Sequence, residues 1–129
     1  MIVAVIDASA LLALLRGELG ADKVSAVLSR SAVSTVNWSE IIAFYARDGA
    51  PEPKIRELID PLPIERMPFG ESLAYVAGLM IPTTRVAGLS FGDRACLALA
   101  RQLGVRAMTA DRLWSRIAAA VGVEVEVIR

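Results

Sequence analysis

Apolar residues fall into two rhythms along this chain: short unbroken runs, and longer stretches in which they recur at helical spacing. Met1 to Ile6 is an unbroken, β-branched run, which predicts a central parallel strand buried on both faces. Ser9 to Arg16 carries Leu11, Leu12, Leu14 and Leu15 at helical spacing and is punctuated by Gly17 and Gly20. Ala21 to Ser29 predicts a second helix with Val24, Val27 and Leu28 inward. Ala32-Val33-Ser34 is a brief strand, and Asn37 to Arg47 a helix stopped by Asp48-Gly49. Pro51 and Pro53 start the next helix, where Ile55, Leu58 and Ile59 share a face, and Pro61 and Pro63 end it. Ile64 to Met67 is a strand that the flanking prolines place at a sheet edge. Phe69 to Met80 is helical, and Ile81 to Gly88 reads as a connector.

Ser90 to Leu103 is apolar almost all round, the pattern of a well-buried helix. A strand over Val105–Thr109, a helix over Asp111–Val121 and a final strand over Val123–Ile128 complete the chain. Glu124 and Glu126 alternate with valines in that last strand, so one of its faces meets solvent. Strands and helices alternate throughout. The pattern predicts one domain over residues 1–129, a three-layer α/β/α sandwich around a mostly parallel sheet.

Four acids stand where predicted helices begin, Asp7, Glu40, Asp93 and Asp111, with Glu40 opening the helical run after Ser34-Thr35-Val36-Asn37. If the strands before Asp7 and Asp111 are parallel neighbours, both acids emerge on the same sheet edge. Each acid has an ordinary explanation, because a carboxylate at a helix N-terminus accepts orphan N–H groups. Asn37 and Glu40 have capping-box spacing, as do Ser90 and Asp93. Grouping them is costly through mutual repulsion, since Ser, Thr or Asn would cap as well. A divalent cation between them would remove that cost.

Composition narrows the chemistry. The chain has no histidine and a single cysteine, Cys96. A histidine-based nucleophilic triad, a histidine general base, a histidine-ligated or cysteine-rich zinc site and an internal disulfide are therefore excluded, and Cys96, set in the Ala/Leu-rich stretch Ala95–Ala100, is expected to be a buried thiol. Any metal must be held by oxygen, which favours Mg²⁺ or Mn²⁺. Lys+Arg and Asp+Glu are both 14, so no bulk basic footprint for nucleic acid exists, though a local one is permitted. A hydrophobic share of 55% supports a full core with an excess that reads as partner surface. No apolar stretch is long enough to cross a membrane, and the chain reads as cytoplasmic.

Four stretches carry a family resemblance: Ile6-Asp7-Ala8-Ser9-Ala10-Leu11-Leu12, Asn37-Trp38-Ser39-Glu40, Leu89-Ser90-Phe91-Gly92-Asp93-Arg94-Ala95 and Met108-Thr109-Ala110-Asp111-Arg112-Leu113-Trp114. In this order they resemble the successive motifs of PIN domains, and most of all those of VapC-type toxins of bacterial toxin–antitoxin pairs. The resemblance implies a PIN-like α/β/α fold and a Mg²⁺- or Mn²⁺-dependent endoribonuclease. It also implies a homodimer held inactive by a cognate antitoxin protein. Asp7, Glu40, Asp93 and Asp111 match the family's acidic quartet, with Ser9 and Thr109 at supporting hydroxyl positions. Where some PIN domains carry a further acid, this chain has Trp114 and Ser115, so a second tightly held ion is the less supported part of the pattern.

On this reading Asp7 and Asp93 ligate the metal directly, and Glu40 and Asp111 hold a second ion or water. Ser9 and Thr109 would orient the carboxylates. Arg112 and Arg94 are candidates for RNA phosphate contacts, with salt bridges to neighbouring acids as the alternative. Trp38, Phe44 and Tyr45 suit base stacking or core packing. Leu11, Leu14, Leu15, Val24, Leu28, Ile55 and Ile59 suit either an antitoxin groove or the core. The alternative function is a non-catalytic PIN-like binding module. A haloacid-dehalogenase-like phosphatase wants an acid where Ser9 stands, and a response-regulator receiver wants a late lysine, whereas the only lysines are Lys23 and Lys54.

Overall fold

The computed structural model describes residues 1–129. In chain order the elements are β1 (Ala4–Ile6), α1 (Ala8–Arg16), α2 (Ala21–Val27), β2 (Ser31–Ser34), α3 (Thr35–Arg47), α4 (Glu52–Ile59) and β3 (Glu65–Met67). They continue with α5 (Glu71–Leu79), α6 (Ile81–Thr84), α7 (Phe91–Leu103), β4 (Arg106–Thr109), α8 (Ala118–Val121) and β5 (Val125–Val127). The sheet runs β3-β2-β1-β4-β5, and every pairing is parallel. It is thus fully parallel, where the sequence pattern predicts only a mostly parallel one. A parallel sheet needs cover on both faces, and the apolar β1 run supplies the two-sided strand this requires.

Side chains alternate along each strand and divide the core in two. Ala4, Ile6, Val33 and Met108 pack on one face with Leu11 of α1, Val24 of α2, Ile41 of α3 and Ile55 and Ile59 of α4. Val5, Ala32 and Ala107 pack on the other with Leu73 and Ala77 of α5, Cys96–Ala100 of α7, and Trp114. The α/β/α layering follows directly. Leu11, Val24, Leu28, Ile55 and Ile59 are all closed into the first core, while Leu14 and Leu15 sit partly buried at its margin. Core packing accounts for Leu11, Val24 and Leu28, whereas Ile55 and Ile59, though buried, also line a surface groove between α3 and α4.

Three segments differ from the pattern-based expectation. The connector over residues 81–88 contains α6, a single turn with Pro82 in its first positions. α3 begins at Thr35, capped by Ser34, whose hydroxyl accepts the Val36 N–H; Asn37 is already inside the helix. The expected helix over residues 111–121 divides into a 3₁₀ segment, Arg112–Arg116, and α8. In a 3₁₀ turn residues three apart eclipse, so Trp114 and Ile117 enter the core together.

The sheet order places the site. From β1 the chain moves outward to β2 on one side and returns to β4 on the other, so the β1–β4 boundary is the topological switch point. Loops leaving the two strands diverge there and open a crevice at their C-terminal ends. Asp7 directly follows β1, and Asp111 lies two residues beyond β4.

Candidate active site

Asp7 is buried directly behind β1, beside the switch point. It is 4% exposed and caps α1, its Oδ1 accepting the Ala10 N–H at 2.8 Å. The Ser9 hydroxyl reaches both of its oxygens, at 2.8 and 2.9 Å, and the Thr109 hydroxyl donates to Oδ2 at 2.7 Å. Thr109 is fully buried at the end of β4 and in turn accepts the Asp111 N–H, while the Ser9 hydroxyl accepts the Ala110 N–H. Two hydroxyls therefore stitch β1 to β4 across the switch point. Three donors meet a carboxylate with roughly four lone-pair sites, so capacity for about one more positive partner remains. Burial pushes Asp7 up from 3.8 to about 6 against these hydrogen bonds, and repulsion from Asp93 adds to the rise.

Asp93 occupies the third position of α7. Its Oδ2 accepts the Ser90 N–H at 2.9 Å while its own N–H donates to the Ser90 hydroxyl at 3.2 Å, a reciprocal capping box. Burial raises its pKa despite those bonds; Asp111 raises it further, and Arg94 opposes the rise. Asp111 caps the 3₁₀ segment through the Leu113 N–H at 2.9 Å. The capping role therefore holds for Asp7, Asp93 and Asp111, and it is compatible with a second role. Asp93 and Asp111 each use one oxygen on the backbone and leave the other without a protein hydrogen bond.

Glu40 is different. It lies in the second turn of α3, not at its start, and makes no cap. Asn37, 1% exposed, donates from Nδ2 to Glu40 Oε1 at 2.8 Å and to the Gly92 carbonyl at 3.0 Å. One amide thus ties α3 to the first turn of α7. A Cβ on Gly92 would overlap the Glu40 carboxylate, so only glycine leaves room for the acid there. Asn37 and Gly92 are the residues the sequence reading misses as site builders. Asn37 reads there as a helix cap, and Gly92 is only a neighbour of Asp93; the spacing of Asn37 to Glu40 is the one signal present in the sequence.

The electrostatics join the four acids into one field. Asp93 acts on Asp7, Asp111 acts on Asp93, and the buried Cys96 thiol is pushed well up by burial and then by Asp7, Asp93 and Glu40. Six salt bridges exist in the molecule, and none involves any of the four. Arg94 donates to the Ala77 carbonyl at 3.0 Å, and Arg112 to the Arg129 carbonyl at 3.3 Å; neither forms a salt bridge with its adjacent acid. Trp114 is fully buried.

No three of these acids stand close enough to form a preassembled ligand cage. That geometry disfavours an ion such as Ca²⁺, which takes many protein oxygens. It suits Mg²⁺ or Mn²⁺ held by one or two carboxylates with water completing the shell. The donor set is all oxygen, no salt bridge involves it, and two of its acids, Asp7 and Asp93, have raised pKa values. All three features fit such an ion.

A sequence model of the PIN domain matches residues 4–120. No curated protein sequence matches. Among solved structures, a chain of DNA-bound VapBC from Salmonella typhimurium is similar with a TM-score of 0.75 at 16% identity, both chains being covered in full. VapBC2 from Rickettsia felis bound to a DNA fragment from its promoter gives 0.74 at 12% identity, over 97% of this chain and 98% of that one. VapBC-1 from nontypeable Haemophilus influenzae gives 0.73 at 15% identity, over 98% of each. At such identities the likeness is one of fold.

Proposed function

The chain belongs to the PIN domain family, and from that premise we propose that it is a Mg²⁺- or Mn²⁺-dependent endoribonuclease, the toxin of a VapC-type toxin–antitoxin pair. One observation carries the reading. Carboxylates from separate segments gather near the switch point of a parallel sheet, where Asp93 acts on Asp7 and Asp111 on Asp93, and none of the four acids is in a salt bridge. A protein keeps such a cluster at a cost to its own stability, which argues for a charged ligand.

RNA hydrolysis requires in-line attack of water on a phosphodiester. A divalent ion held by Asp7 and Asp93 would lower the pKa of the attacking water and offset charge on the phosphoryl oxygens. This chain's own residues supply the positioning. Ser9 and Thr109 fix the Asp7 carboxylate by donating to it, so its orientation is set before substrate arrives. Asn37 fixes Glu40 against α7. The free oxygens of Glu40, Asp93 and Asp111 accept from water and hold it for attack.

Partners follow from the same premise: an RNA substrate, a cognate antitoxin protein and a second copy of the chain in a homodimer, acting in the cytoplasm. The similar structures are VapBC complexes, which supports the antitoxin reading. An apolar groove of about 400 Å³ between α3 and α4, lined by Trp38, Ile42, Ala46, Ala50 and Ile55, offers a partner helix a seat away from the acids. Exposed Tyr75, Leu79, Ile81 and Val86 on and after α5 supply apolar surface for a second copy. No helix is long and apolar enough to cross a membrane.

The reading as a non-catalytic binding module draws on the absence of a preassembled cage. Cleavage decides between the two. Purified protein incubated with structured RNA should cut it in Mg²⁺ or Mn²⁺ and stop in EDTA. The double variant Asp7→Asn/Asp93→Asn should be inert, and undiminished cleavage by it would overturn the nuclease reading.

A further inference from the structure

Glu40 stands at the meeting of two open grooves. One lies between α1 and α3 and is lined by Ala8, Leu12, Glu40, Ala43, Phe44 and Arg47. The other runs from α3 to the start of α7 past Phe69 and Phe91. Each is bordered by aromatic rings, and the first by cationic groups as well. In the first, the guanidinium of Arg16 lies 5.2 Å, and that of Arg47 5.5 Å, from the centre of the Phe44 ring, with Tyr45 edge-on to that ring at 5.1 Å. In the second, Phe69 and Phe91 meet edge to face at 5.4 Å, and Phe91 is 49% exposed.

We propose that the RNA strand crosses Glu40 from one groove to the other, held by Arg16 and Arg47 through its phosphates and by Phe91 through a base. This inference rests on the nuclease reading of the same site. The acids repel a polyanion, so the charge that binds it must lie beside them. Arg94 and Arg112, the arginines next to two of the acids, are already donating to backbone carbonyls. Arg47 has no salt bridge, and Arg16 has only a half-exposed one to Glu18 at 3.3 Å, a weak competitor. Two guanidiniums converging on one ring form a preorganised fork for phosphates, with planes on which bases stack. A duplex hides its bases from such a platform, whereas a single strand exposes them.

The test measures binding of a fluorescent single-stranded oligoribonucleotide of mixed sequence to full-length Asp93→Asn protein, which holds RNA without cutting it. In that background Arg16→Ala/Arg47→Ala should weaken binding roughly tenfold or more and flatten the salt slope by about 1.4, at about 0.7 per lost phosphate contact. Phe91→Ala should weaken binding with the salt slope unchanged. Arg30→Ala, an exposed arginine just before β2 at the other edge of the sheet, should change neither. Melting temperatures confirm that each variant is folded. In the otherwise unmodified protein, Arg16→Ala/Arg47→Ala should raise KM with kcat largely kept. Unchanged affinity and slope in the double variant, alongside intact cleavage by the parent, would overturn the inference and leave the nuclease reading standing, with this face free for an acidic protein partner. RNA binding lost on removing these arginines, in a parent that never cleaves, would overturn the nuclease reading and with it the claim that the bound RNA is a substrate.

Discussion

Asp7 concentrates the cost and the purpose of the site in one side chain. Its folded pKa is raised to about 6 from 3.8, so between about pH 4 and pH 6 the native state keeps a proton that the unfolded chain has released. Stability of the metal-free protein must therefore fall as pH rises through that window and flatten above it; Asp93, also raised, adds to the fall. Asp7→Asn removes the Asp7 part. The amide oxygen still accepts the Ala10 N–H, and the amide nitrogen can donate to the two hydroxyl oxygens. A shift of about two units bounds the relief at roughly 3 kcal/mol at neutral pH, offset by weaker hydrogen bonds. Urea titrations at pH 4.5 and 7.5 should show a smaller pH difference for the variant, while its RNA cleavage drops by more than about 100-fold, beyond the cost usual for a supporting residue. Equal pH dependence in the two proteins would remove the physical basis for Asp7's role. Thr109→Val makes the complementary point. It keeps the shape but strands the Asp111 N–H and removes one of the two donors to Asp7 Oδ2, so it should cost about 1–3 kcal/mol by denaturation and roughly 10–100-fold in cleavage. All four acids and both hydroxyls were legible in the sequence, because polar residues at the ends of apolar runs stand out. Asn37 was not, since its role depends on the Gly92 carbonyl, 55 positions away, and separation of that kind leaves no local signature.

Elements position these side chains, and α7 does most of that. Its apolar run from Ala95 to Ala100 locks it into the core beneath α5, and its capping box fixes where the first turn begins. Gly92, in that first turn, is where stability and function part. Replacing a helical glycine by alanine ordinarily stabilises by about 0.5–1 kcal/mol. Here the new methyl displaces the Glu40 carboxylate, which is flexible enough to swing away. Gly92→Ala should leave the melting temperature unchanged or higher and lower cleavage at least tenfold; retained activity would show that Glu40 need not sit against α7. The two rhythms in the sequence predicted most elements because period and burial coincide in them, as in β1 and α7. They failed at residues 111–121. The helical spacing of Trp114, Ile117 and Val121 also satisfies a 3₁₀ segment followed by one α-turn, and the Asp111 cap with the buried indole decides for that. α6 was hidden for the opposite reason, since a single turn is too short to show a period.

At the scale of the whole molecule the fold acts as a spring held closed by chemistry it does not itself provide. The sheet order brings the ends of β1 and β4 side by side, and the start of α7 adds Asp93 to that edge, so folding does work against their repulsion. A cation that binds only the folded arrangement must return that work as stability. With an ion at about 100 times its Kd the gain is roughly 2.7 kcal/mol, a rise in Tm on the order of 10 °C for a chain of this size. The same linkage fixes the pH dependence. Protons and cation compete for Asp7, so the rise in Tm with Mn²⁺ should be small at pH 5 and grow as pH passes through about 6. Asp7→Asn/Asp93→Asn should lose the response at both pH values while melting at a similar or higher temperature without metal. Thermal scans of the two proteins, with Mn²⁺ and with EDTA, separate an acid cluster built for a cation from one that merely caps helices. A cluster of caps would show no metal response at either pH, and that result would count equally against the nuclease and against any metal-holding role for this crevice.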